Sequence, residues 1–431
     1  MAVTRRATAL AFASVLAVVF SPAPGWTLLL ANGLLIAAIA VDLALAGGVR
    51  TLVFTRSGPS TARLGTTVPL VLAVTNTGRR TVRAQVRDAW PPSSGATPRV
   101  WRVTVPTGQR RFCDLVLRPT RRGDRHPYRI TVRSLGPLGL AGRQGRHAAP
   151  WRLRVLPPFT SRRHLPAALA RLREIEGDAT LRGGGQGSEF DSLRDYVPGD
   201  DVRMIDWRSS ARRGTVAVKS FRPERDRRVI CLLDTGRTSA GRIGDTPRLD
   251  HAMDAALLLG AVAARAGDRV SLIAHDAAAR VTLPAAGGPN PLVRMSAALA
   301  LVEPVLTETD HQAIASSVLR IAIRRSLVVL FTELVPAVIE EGLVPALPAL
   351  TARHTVIVAA VSDPRLAELA AGRGDVRALY SAAAAEQTLL QRRQLTGLLR
   401  GHGVQVVDAP PATYASAVTD SYLSLKSAGR L

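Results

Sequence analysis

The chain has 431 residues, 47% apolar and 4% aromatic, with 57 Lys and Arg against 33 Asp and Glu, a formal charge of +24. Its length predicts two or three domains rather than one. Two cysteines, Cys113 and Cys231, exclude a disulfide framework or a cysteine metal knuckle and suit a reducing compartment, and scattered arginines with so few aromatics argue against a base-stacking platform for nucleic acid.

The positive charge is almost all arginine, since Lys219 and Lys426 are the only lysines. A GC-rich coding sequence would produce that bias, and an anionic partner such as lipid headgroups would exploit it. At the N-terminus "ATALAFASVLAVVF" (Ala7–Phe20) follows Arg5 and Arg6, and "WTLLLANGLLIAAIAVDLALA" (Trp26–Ala46) follows a Pro-Gly break. The second stretch is long enough to span a hydrocarbon core of about 30 Å. The first is short and reads either as a second span or as a signal peptide. With Arg5, Arg6, Arg50 and Arg56 kept inside, both readings leave the body of the chain in the cytoplasm. Residues 1–48 are therefore expected to hold two membrane-spanning helices.

Residues 49–158 change pattern. "TVPLVLAVTNTG", "TVRAQVRDAW", "RVWRVTVPTG" and "YRITVRS" alternate apolar with Arg or Thr at period two, between Gly, Pro, Asn and Asp turns. That predicts an antiparallel, Ig-like β-sandwich with its arginines on the wet face. Residues 159–226 read as a connector, with one helix in "SRRHLPAALARLREIEGDA" and a glycine run at 183–187. From 227 to 431, short apolar runs ("RRVICLLD", "DRVSLIAHD", "SLVVLFTEL", "TVIVAAVSD", "VQVVDAP") alternate with helical stretches. That is a doubly wound α/β domain with a mainly parallel sheet, whose ligands sit at the strand carboxyl ends.

The first such strand ends in "DTGRTSAG" (Asp234–Gly241). An acid followed by hydroxyl residues supplies the hard oxygens that Mg²⁺ prefers. The loop resembles the metal-ion-dependent adhesion site of von Willebrand factor type A domains, which begins Asp-x-Ser-x-Ser. The resemblance implies Asp234, Thr238, Thr309 and Glu333 as metal ligands and Mg²⁺ as cofactor. Gly236 stands where the first serine belongs, and Glu333, in "VVLFTEL", is longer than the usual Asp. A metal-free fold, with Asp234 capping a turn, is the alternative. The eight histidines show no metal-ligand spacing, and His251 and His311, at helix starts, read as surface or N-terminal polar residues.

Gly187–Phe221 holds "EFDSLRDYVPGDDVRMIDWRSSAR". Its Glu189, Phe190, Leu193, Arg194, Tyr196, Gly199, Asp200, Asp201, Arg203, Ile205, Asp206, Trp207, Ser210, Ala211 and Arg212 closely resemble the signature of a bacterial membrane-protein family known as domain of unknown function 58. "RRGDRHPY…GPLGL" (Arg121–Leu140) agrees, except that Gly136 stands where an Asp is expected, which touches only a local turn contact. Physically, Pro198 and Gly199 make a turn, and Asp200 and Asp201 cap the turn after it. Asp206 and Trp207 read as packed, and Arg194, Arg203 and Arg212 are placed to fork onto the acids. A structural network is the first reading, a partner-docking surface the second and an active site the third. No catalytic residue is assigned, because no nucleophile–base pair or phosphate loop stands out.

These features imply a non-enzymatic, membrane-anchored assembly factor on the cytoplasmic side, with Asp234, Thr238, Thr309 and Glu333 as its docking site, an Mg²⁺ bridge to a partner carboxylate as an option there, and Arg194–Arg212 holding the domains in register. Resemblance in domain content implies a MoxR-type AAA+ ATPase as partner, with an unidentified protein client and no nucleic acid. A basic scaffold for anionic lipid or nucleic acid is the alternative, and a metal-dependent hydrolase a more distant one, since no water-activating base flanks the loop.

Overall fold

A computed structural model describes residues 2–181, 189–198, 200–222, 227–285 and 290–431. Two compact units, Met1–Leu156 and Pro157–Leu431, divide the chain.

In the first unit a two-residue strand, β1 (Ala2–Val3), leads into helices α1 (Arg5–Val19) and α2 (Pro24–Leu45), which pack on each other. At 1.5 Å per residue α2 is about 33 Å long and α1 about 22 Å. Among the described residues α2 is the one helix long and apolar enough to cross a membrane. The expected pair of spans is thus one helix of spanning length and a shorter companion. The reason lies at the ends of α1. The Thr4 hydroxyl is drawn to the Gly139 and Leu140 carbonyls (2.7 and 3.1 Å), and the Ser-Pro-Ala-Pro run at 21–24 stops the helix. Phe12, Val19, Trp26, Leu29, Leu30 and Leu34 are all exposed on the pair.

Next in the chain come strands β2 (Leu52–Ser57), β3 (Thr61–Arg63), β4 (Val68–Asn76), β5 (Val82–Ala89), β6 (Val100–Val105), β7 (Arg110–Leu117), β8 (Gly123–Arg125), β9 (Arg129–Leu135), β10 (Ala141–His147) and β11 (Leu153–Leu156). They form sheets β1-β10-β9-β5-β6, β2-β4-β7 and β3-β11-β8, all antiparallel except β3 with β11. Period-two alternation sends Val82, Ala84 and Val86 of β5 inward beside Leu70, Leu72, Leu115 and Ile130, with Arg83, Gln85 and Arg87 on the other face. Not every arginine stays on the wet face, and Arg122 is buried as well as Arg56. Arg56 is buried and pairs with Asp88 (2.5 Å), whose other oxygen accepts from the Trp90 indole N–H (2.8 Å). A carboxylate on the inward face of β5 requires a cation there, since an unpaired buried charge is costly.

Asp42 joins α2 to this sandwich. It is fully buried, and its carboxylate accepts the backbone N–H groups of Leu138 (2.8 Å), Leu140 (2.7 Å) and Ala141 (2.8 Å). A Cβ at Gly136 would overlap that carboxylate. The Gly136 departure is therefore more than a local turn contact: a carboxylate from α2 fills the space that a side chain at 136 would need.

In the second unit α3 (Leu165–Leu181), expected as part of a connector, puts Ala168 and Leu172 into the core of the α/β fold. Strands β12 (Glu189–Asp195) and β13 (Ala217–Arg222) pair antiparallel around a short helix α4 (Trp207–Arg213). Then come β14 (Arg228–Asp234), the small hairpin β15 (Arg242–Ile243) and β16 (Thr246–Pro247), α5 (Arg248–Arg265), β17 (Arg269–His275), β18 (Ala279–Leu283), α6 (Pro291–Leu299), α7 (His311–Ile321) and β19 (Ser326–Phe331). The chain closes with α8 (Leu347–Thr351), β20 (Thr355–Val361), α9 (Pro364–Ala370), α10 (Val376–Gly401), β21 (Gln405–Ala409) and α11 (Pro411–Ser427). The sheet order is β18-β17-β14-β19-β20-β21, parallel except for edge strand β18. Strand order reverses between β14 and β19, so the crevice expected for a ligand opens at Asp234 and Glu333. Helix α11 is pinned by Tyr422 and Lys426, which both donate to the buried Asp268 (2.6 and 3.0 Å).

Candidate functional site

Strands β14 and β19 end side by side, and their terminal residues build the first candidate site. One Asp234 oxygen accepts from the Gly236 N–H (2.8 Å) and the Thr309 hydroxyl, the other from the Thr332 hydroxyl (2.6 Å). Thr238 and Ser239 line a cavity of about 20 Å³ with Asp234, Arg248, Glu333 and Tyr414, room for roughly one water-sized group. Glu333 lines the same cavity but is engaged by cations. It is buried and forms ion pairs with Arg248 and Arg392, and Arg392 also forks onto Asp408 at the end of β21 (2.7 and 3.1 Å). Burial by itself would lower the Arg392 pKa, but the Asp408 and Glu333 carboxylates outweigh it and the pKa is raised.

Of the four residues expected to hold Mg²⁺, Asp234 and Thr309 meet directly, Thr238 lines the same cavity, and Glu333 is held by guanidinium groups. A serine at 236 would supply a missing ligand, yet a Cβ there would overlap the Thr309 hydroxyl. These residues do not fit a divalent cation: the acid that should complete the site is already neutralised by two fixed positive charges. Arg248, Arg392 and Asp408 escaped sequence reasoning because they come from α5, α10 and β21. The one local signal was Asp408, another acid at a strand end. His311, expected at a surface, is buried below the 337–343 turn; a Cβ at Gly342 would lie 2.7 Å from its Nδ1. Burial lowers its pKa, which favours the neutral ring.

The second candidate is the module at 189–222, part of the second unit. Glu189 pairs with Arg222 through the backbone, and Gly199 lies outside the described residues, as does the 183–187 glycine run. Arg194 forks onto Asp200 (2.7 and 2.5 Å), and Asp200 also accepts from the Val197 N–H (3.0 Å). The Asp201 carboxylate accepts from the Arg203 N–H (2.9 Å). Asp206 caps α4 by accepting from the Ser209 N–H (2.9 Å) and faces Lys219 (3.4 Å). Ser210 donates to the Asp206 carbonyl (2.8 Å) and accepts from the Ala217 N–H (2.9 Å), which ties α4 to β13. The Tyr196 N–H donates to Val216 (2.8 Å). The Arg194 guanidinium holds the Asp200 carboxyl below the usual carboxylate range, and the Ser209 N–H does the same for Asp206.

Two expectations need correction. Arg203 and Arg212 have no carboxylate partner among the described residues, so one fork forms instead of three. Trp207 is not packed: it is 69% exposed. It occupies the first position of α4, and Asp206 spends its carboxylate on the Ser209 N–H, so the indole is turned out. Val197, Val202 and Val216 are exposed on the same module, while Ala217 and Val218 are buried and Ile205 bridges to Val218.

Residues 192–396 match the family model described as Protein of unknown function DUF58. The chain carries a DUF58-family domain. It is 27% identical over 187 residues to the Uncharacterized protein Rv1480 of Mycobacterium tuberculosis, covering 43% of this chain and 58% of that protein. It is 27% identical over 113 residues to the Uncharacterized protein YeaD of Bacillus subtilis, covering 26% of this chain and 28% of that protein. The chain thus spans less than two-thirds of the length of these curated relatives. Among solved structures, proximal thread matrix protein 1 from the mussel byssus, with a zinc-occupied MIDAS motif, overlaps 47% of this chain and 46% of its own at 11% identity and TM-score 0.28. The CARDB domain of the PF1109 protein from Pyrococcus furiosus overlaps 27% of this chain and 92% of its own at 16% identity and TM-score 0.19.

Proposed function

We propose that this chain is a non-enzymatic, membrane-anchored adaptor on the cytoplasmic face. It docks a MoxR-type AAA+ ATPase and a protein client through the 189–222 module. The observation that carries the reading is the exposed Trp207, with Val197, Val202 and Val216, on a segment that caps and ion pairs hold in shape. A large aromatic presented by an ordered frame is the usual energetic centre of a protein interface. The anchor is α2, whose length and exposed apolar side chains suit a bilayer, with Arg5, Arg6 and Arg50 at the body end of the helices. The strand-end acids support a binding role less well, because Asp234 and Glu333 are engaged within the fold. The interface therefore lies on the module rather than at those acids, and it needs no Mg²⁺ bridge.

The test is mild crosslinking in native membranes, followed by purification of tagged wild type, Trp207→Ala and Asp234→Ala. An AAA+ ATPase recovered with wild type and Asp234→Ala but lost with Trp207→Ala is the expected result. Loss with Asp234→Ala alone would return the interface to the strand ends. Absence of any ATPase from all three would refute the adaptor reading.

A further inference from the structure

Where the start of α1 meets the sandwich, the first unit has a groove of about 500 Å³. Arg5 and Arg6 enter it from the start of α1, Arg83 and Gln85 from β5, Arg102 from β6, and the 135–139 turn closes one side. Strand register sets the floor. Arg83 lies opposite Thr104 and Gln85 opposite Arg102, so all four share the outer face of one strand pair. Four arginines converge here and, among the described residues, no acid lines the groove. None of the four has a carboxylate partner among the described residues. Elsewhere in the same unit, Arg56 and Arg154 are each matched to an Asp.

We propose that this groove binds the phosphate headgroup of an anionic phospholipid. Forked guanidinium groups match phosphate oxygens two at a time, and Thr104 and Gln85 add neutral donors. A soluble phosphate would satisfy the same chemistry, but position favours a lipid. The groove opens at the end of an apolar helix pair where acyl chains would run beside the exposed Phe12 and Leu16 of α1, while the headgroup lies level with Arg5 and Arg6. This inference rests on the reading that the helix pair is inserted in the bilayer.

Full-length protein, delipidated in detergent, is titrated with phosphatidylglycerol or phosphatidylcholine, and bound lipid is read by native mass spectrometry. Wild type is compared with Arg83→Gln/Arg102→Gln and with Arg111→Gln on the other sheet. The same three proteins are tested for retention in membranes after alkaline carbonate washing. The expected result is preferential binding of phosphatidylglycerol, weakened roughly tenfold in the double variant and unchanged in Arg111→Gln, with all three retained. Equal binding of both lipids, or equal loss in Arg111→Gln, overturns the headgroup site while leaving the anchor in place. Displacement of the lipid by millimolar inorganic phosphate overturns the choice of a lipid as occupant. Release of wild type by carbonate overturns the anchor itself.

Discussion

The strand-end site and the 189–222 module are both rich in charge, and they spend it in opposite ways. At the strand ends Asp234 and Glu333 are buried and answered from within: Asp234 by two hydroxyls and a backbone N–H, Glu333 by two arginines. In the module Asp200, Asp201 and Asp206 are committed to backbone N–H groups and short-range pairs, which leaves Trp207 outside. The first arrangement stabilises a fold, and the second displays a surface. A motif that looks like a ligand site can thus be closed by residues distant in sequence, while one that looks like a clamp can leave a large aromatic side chain exposed.

The sharpest way to break that contrast is Glu333→Ala, which strands Arg248 and Arg392. Removing one partner of a buried ion network should cost about 3–5 kcal/mol, read as a lower urea midpoint for full-length protein in detergent. An effect under about 1 kcal/mol would mean that the two arginines do not close the site. Next in size is Asp42→Ala, which orphans three backbone N–H groups and should cost about 2 kcal/mol. Gly136→Asp should be destabilising alone and tolerated in combination with Asp42→Ala, because the two side chains compete for one space. Additive losses in the double variant would refute that competition.

Acid should act on the module. Asp200 and Asp206 have depressed pKa values in the folded chain, so their contribution is fully present above the ordinary carboxylate pKa of about 4 and is lost as pH falls through the depressed values. Hydrogen exchange of the Ser209 and Ala217 amides should therefore accelerate below about pH 4, before the buried α/β strands respond. Trp207→Ala should change stability by no more than about 0.5 kcal/mol while abolishing partner recovery, the mark of a surface residue. The smallest effect is that of metal. Mg²⁺ or a chelator should leave the thermal midpoint unmoved, whereas a site filled at a hundred times its Kd would add about 2.7 kcal/mol.

Local pattern carried much of the fold. The alternation in "TVRAQVRDAW" became β5 with Val82, Ala84 and Val86 inside, and "RRVICLLD" became the central strand β14, ending at Asp234. The edge strand β18 was missed because "ARVTL" is short and only partly buried. Of the two caps the signature suggested, Asp201 acts on the Arg203 amide two residues on, whereas Asp200 accepts from Val197 before it, and Asp206, read as packed, is the residue that caps α4. The signature misled on Arg203, Arg212 and Trp207, whose surroundings depend on how α4 leaves its cap.

The sequence by itself determined most elements of the sandwich and the α/β domain, their order and the sheet end at which the α/β crevice lies, because periodicity and capping are properties of neighbouring residues. Only the tertiary structure decided who answers each charge. Arg392 reaches Glu333 from 59 positions away, and Asp42 of helix α2 fills the space beside Gly136 in the β9–β10 turn. Burial makes such pairings obligatory, but the partner is selected by which side chains the packed elements bring within a hydrogen bond's length, and no local pattern encodes that choice.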